Sequence, residues 1–85
     1  GYTGTPSDFS KKSIVGMTIT NADLTNATFH KGLVYDVLFD SCIFRNVDFT
    51  ESHICSVGFE NCRFVNCTFD NIEWMFCDVK TSLFD

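Results

Sequence analysis

Positive charge is scarce in this chain. Six Lys and Arg stand against eleven Asp and Glu in 85 residues, for a net charge of −5. That balance argues against plain binding to a phosphate backbone, which needs a basic footprint, so no direct contact with nucleic acid is expected. Long apolar runs are also missing. The longest, such as Gly32-Leu33-Val34-Tyr35, span a few residues. They are too short for a secretory h-region or a membrane-crossing helix, and no membrane partner is expected. The C-x2-C spacing of structural zinc sites is absent as well, and neither a metal nor a cofactor is expected. Proline occurs once. A chain of this length is one domain at most and is marginal unless a regular architecture or a staple supports it.

What is present is phenylalanine, ten times, and cysteine, five times. Five cysteines fit a disulfide framework with one thiol left over in a secreted mini-domain, or reduced buried thiols in a cytosolic protein. The phenylalanines follow a rule. Steps of five from Phe9 meet Ile14, Ile19, Leu24, Phe29, Val34, Phe39, Phe44, Phe49, Ile54, Phe59, Phe64, Phe69, Trp74, Val79 and Phe84. All are large and apolar, and no other register does this. Two residues before each stands a small or apolar one, such as Ala22, Ala27, Gly32, Cys42, Val47, Ser52, Cys62, Cys67 and Cys77. Lys12 is the exception. The remaining positions are mostly polar.

A helix smears a period of five around its axis, and a straight strand sends positions five apart to opposite faces. The pattern within each five is in, out, in, out, and then one extra residue. The extra residue must be a corner that resets the alternation. The chain is therefore a series of very short strands with a turn every five residues, coiling around a central core. Asn21, Asn26, Asn46, Asn61, Asn66 and Asn71 fall at corners, where Asn tolerates turn conformations.

The stretch Ala22-Asp23-Leu24-Thr25-Asn26, followed by Ala27-Thr28-Phe29, resembles the A-(D/N)-(L/F)-x-x unit of the pentapeptide-repeat family. The resemblance covers residues 7–85 and leaves 1–6 as a lead-in. It implies an all-β fold, a right-handed quadrilateral parallel β-helix with four fives to a coil and about four coils. Cys or Val often replaces the family's Ala, and Lys12 marks a frayed or capped first coil. Positions twenty apart should stack, as Phe9, Phe29, Phe49 and Phe69 would in the core. Coils at strand spacing would make a rod roughly 20 Å long.

In this register most apparent motifs become parts of the repeat. Cys42, Cys62, Cys67 and Cys77 occupy the small inward position and read as buried thiols packing as small hydrophobes. Cys42 and Cys62 stack, but with parallel side chains that do not favour a bridge. Cys55 alone faces outward and should be the reactive thiol. His53 and Cys55 flank Ile54 on one strand, with no third orienting group and no cleft expected beside them, so no catalytic residue is assigned and no enzyme activity is expected. His30 falls on a different side. Trp74 is core by register. The sequons Asn26-Ala27-Thr28 and Asn66-Cys67-Thr68 arise when an Asn corner precedes a Thr.

The outward positions carry the functional signal. The second of four sides bears Val15, Leu33, Tyr35, Cys55 and Met75, with Phe76 at its corner, and this apolar stripe is the expected partner-contact face. Asp8, Asp48 and Asp70 on the first side and Asp40, Glu60 and Asp78 on the third flank it with acid. The open end at Phe84-Asp85 suggests a piece of a longer protein or an end-to-end homodimer. The expected function is a non-enzymatic, rigid scaffold that contacts a protein partner or another domain of the same chain. A reducing, cytoplasmic setting fits the thiols; a secreted effector or an extracellular segment is the alternative. The resemblance implies three precedents. Bacterial effector ubiquitin ligases use such domains to engage host proteins. Some family members resemble duplex DNA and occupy DNA gyrase, conferring quinolone resistance. The luminal domain of synaptic vesicle glycoproteins, a receptor segment, has a similar repeat.

Overall fold

A computed structural model describes residues 8–85. The lead-in 1–6 and Ser7, the first of the small inward positions, lie outside the described residues.

The corners come first, because everything else follows from them. Every fifth residue from Lys11 to Thr81 has a φ between 53° and 68°: fourteen non-glycine residues and Gly16. Six of them are Asn, which visits this left-handed region at low cost. At nine corners, from Lys11 to Asn66, the turned backbone aims the corner N–H along the coil axis, at a carbonyl nineteen residues on. Asn21 donates to the Asp40 carbonyl (2.9 Å), Asn26 to that of Arg45 (2.7 Å) and Ser41 to that of Glu60 (2.8 Å). At some corners the chain also closes on itself. Ala27, Gly32 and Ser52 donate to the carbonyls of Leu24, Phe29 and Phe49, as in type II turns with the positive φ at the third residue.

Between corners run short parallel strands. β1 (Ser13–Thr20), β2 (Leu33–Asp40), β4 (His53–Glu60) and β6 (Glu73–Met75) form one sheet in that order. β3 (Ile43–Arg45), β5 (Arg63–Val65) and β7 (Leu83–Phe84) form a second. The register is twenty throughout: Ile14 pairs with Val34, Val34 with Ile54 and Ile54 with Trp74, while Phe44 pairs with Phe64 and Phe64 with Phe84. The first side is held by single bridges, Asp8 to Thr28 to Asp48 to Thr68. Four sides of five residues make each coil, and the fold is the expected right-handed quadrilateral β-helix of about four coils. It spans 24 Å along each principal axis, so it is a block as wide as it is tall and not a rod.

The interior is a set of ring columns. Phe9, Phe29, Phe49 and Phe69 stack face to face with centroids 4.9, 5.0 and 5.1 Å apart. Phe44, Phe64 and Phe84 stack at 4.7 and 4.3 Å, and Phe39 and Phe59 at 5.1 Å. Neighbouring columns meet edge to face, as Phe39 and Phe44 do at 76°, the arrangement that ring quadrupoles favour. Burial fails at the two ends, because a core position is covered only when coils lie on both sides of it. Lys12 is exposed and Met17 is 48% exposed although both hold inward positions. Trp74 is 38% exposed, so it caps the core against Phe59 instead of lying within it.

The small inward position has a second role that size alone does not reveal. Its thiol or hydroxyl donates to carbonyls that the corner leaves behind. Cys42 Sγ reaches the Ile19 carbonyl (3.3 Å), Cys62 Sγ that of Phe39 (3.3 Å), and Cys67 Sγ that of Phe44 (3.2 Å). Ser82 Oγ makes the same bond to the Phe59 carbonyl (2.9 Å), while Ser52 Oγ turns to its own corner at the Phe49 carbonyl (2.6 Å). Cysteine therefore fits because it is small, apolar and still a weak donor.

Phe44 lies in the middle of the columns with no exposed surface. Phe44→Ala should cost about 3–5 kcal/mol, read from the urea midpoint, whereas Phe84→Ala, half exposed, should cost clearly less. Equal losses would contradict the column account.

Candidate functional site

The second side is shaped by the register. Outward residues fall in two vertical rows, one of Val15, Tyr35, Cys55 and Met75 and one of Ser13, Leu33, His53 and Glu73. The first row is apolar in every coil. Val15, Tyr35 and Met75 are about half exposed, Cys55 is partly covered, and Leu33 is 39% exposed. Between the end strands β1 and β6, backbone donors and acceptors are spent in the ladder, so the middle of this side presents side chains. Phe76 follows Met75 at the corner. It is 80% exposed and its φ is 55°, an unusual combination for a bulky residue.

Two features of this side differ from the reading of a single strand. Glu73, one coil on, holds His53 by an Oε2–Nδ1 contact of 2.9 Å. Together with Leu33, Ile54, Cys55 and Met75 these two line a shallow hollow of about 180 Å³. Neither an orienting group nor a hollow beside His53 and Cys55 is expected from the sequence. Both exist because the residue that completes them lies twenty positions away.

Around the corner towards the third side runs a groove of about 440 Å³, lined by Gly16, Met17, Thr18, Asp36, Val37, Leu38, Ser56 and Gly58. Glycine shapes it. At Gly58 a Cβ would come within 3.1 Å of the Leu38 methyl that folds over it, while Gly16 faces open space. On the far edge of the third side Asp40 and Glu60 sit in register, with Asp78 nearby on the Gly58 bridge. Among the described residues, each end of the core forms an apolar hollow of about 380 Å³. One includes Phe9, Met17 and Phe29, the other Phe69, Trp74, Val79 and Phe84.

The remaining candidates disperse. All five cysteines are free thiols, with Cys42 and Cys62 buried and the other three partly so. Among the described residues no His, Cys, Asp and Glu cluster could hold a metal ion, and no helix is long and apolar enough to cross a membrane. His30, on the first side, meets Thr50 Oγ1 at 2.7 Å. Asn26 and Asn66 of the sequons are exposed at corners of one row.

Residues 35–71 match the family model of pentapeptide repeats in eight copies, so the resemblance seen in the sequence holds over that segment. The fold is similar to that of QnrB1, described as a plasmid-mediated fluoroquinolone resistance protein and solved in a trypsin-treated form. The TM-score is 0.71 at 17% identity, over 88% of this chain and 42% of QnrB1. The chain thus spans less than half the length of that protein, and the likeness concerns the fold. No curated protein matches the chain.

Two outcomes follow from this geometry. Phe76→Asn puts a residue suited to the left-handed corner where a bulky ring now sits. Stability should rise by up to about 1 kcal/mol, seen as a higher urea midpoint, while any contact made by the ring is lost. A fall in stability would mean that Phe76 is held in place by packing. The second outcome concerns alkaline pH. Burial pushes the Cys67 and Cys77 thiols up from the usual 9.0. A raised folded pKa contributes stability in full below the unfolded value and loses it as pH rises towards the folded value. The urea midpoint should therefore fall above about pH 9, and fall less steeply in Cys67→Ser. Identical slopes in the two proteins would show that this thiol stays neutral in neither state or both.

Proposed function

We propose that this four-coil stack of pentapeptide repeats is a non-enzymatic protein-contact module, and that its second side is the contact face. One observation carries the reading: an apolar row, Val15–Tyr35–Cys55–Met75, continues through every coil at positions that face water. Nothing in the repeat requires it, since the other outward rows are largely polar and the core is complete without it. Leu33 widens the row and Phe76 extends it at a corner that a smaller polar residue would fill with less strain. Asp40, Glu60 and Asp78 on the adjoining side set the charge preference. The partner is another protein or another domain of the same chain, as in bacterial effectors built on such domains, which is an analogy of fold. A second copy joined end to end through the apolar hollows is a separate, compatible contact. A reducing, cytoplasmic setting suits five free thiols.

A second reading follows from the likeness to QnrB1 and the net charge of −5: protection against fluoroquinolones by occupying DNA gyrase. The apolar row interrupts the acidic surface that this reading needs. A supercoiling assay separates the two. Inhibition of gyrase at micromolar protein would support the second reading, and its absence would reject it.

The contact face is tested with a photocrosslinking residue at position 35 or at position 45, on the opposite side, in extract of the source cell. A discrete adduct should form from position 35 and not from 45, and Met75→Asp should reduce its yield at least ten-fold, the effect of about 1.4 kcal/mol. Equal adducts from both positions would refute the assignment.

A further inference from the structure

We draw no further inference here: the strongest candidate, the shallow hollow on the second side where the His53–Glu73 pair lies beside Cys55, belongs to the contact face already described, and nothing in the structure shows what it would take.

Discussion

A left-handed corner at every fifth residue is the constraint on which the rest of this structure depends. In fifteen consecutive fives the backbone takes a positive φ at the same place, from Lys11 to Thr81. Each corner resets the alternation of the strand, so that the same two positions of every five face inward. Nine of them, from Lys11 to Asn66, also turn their N–H along the axis into the next coil. Outside glycine and Asn this conformation costs roughly 1 kcal/mol per residue. It is held because the corner N–H is a rung of the ladder and because the ring columns keep the coils in register. Local strain and long-range pairing are thus two aspects of one geometry.

The same geometry divides the labour among residues. Large inward positions build stacked columns, and where the small inward position is Cys, or Ser at position 82, its side chain donates to a backbone carbonyl of the preceding coil. The cysteines at this position thus have a structural role that requires neither metal nor disulfide. Backbone polar groups on the sides are spent in the ladder. The outward rows are therefore free to vary without disturbing the fold, and the apolar row of the second side is the departure on which the proposed contact face rests. Phe76 sharpens the point, since it is both exposed and placed in a conformation that its bulk does not favour.

The period of five, the inward columns and the apolar row of the second side were legible in the sequence, because each depends on spacing and residue type alone. The block-like proportions were not, because the period fixes coil height but not coil width. Neither was the exposure of Met17 and Trp74, whose positions in the repeat are regular but whose neighbours along the axis are not. The pairing of His53 with Glu73 and the groove lined by Gly16 and Gly58 arise between coils. They become visible once residues twenty apart are set side by side. The donor role of the small position was hidden for another reason: the carbonyl it meets lies twenty-three residues earlier, in the case of Cys42 at Ile19.

The central claim is that the fold is a twenty-residue register imposed by corners. It is tested most directly by the urea midpoint of a chain in which residues 41–60, one full coil, are duplicated in tandem. A second chain, whose copy lacks Ser56, serves as the comparison. The account predicts that the twenty-residue copy keeps or raises the midpoint, as an added unit of a solenoid does. The nineteen-residue copy should lower it sharply by moving a corner out of line with its neighbours. Equal midpoints for the two insertions would contradict the account.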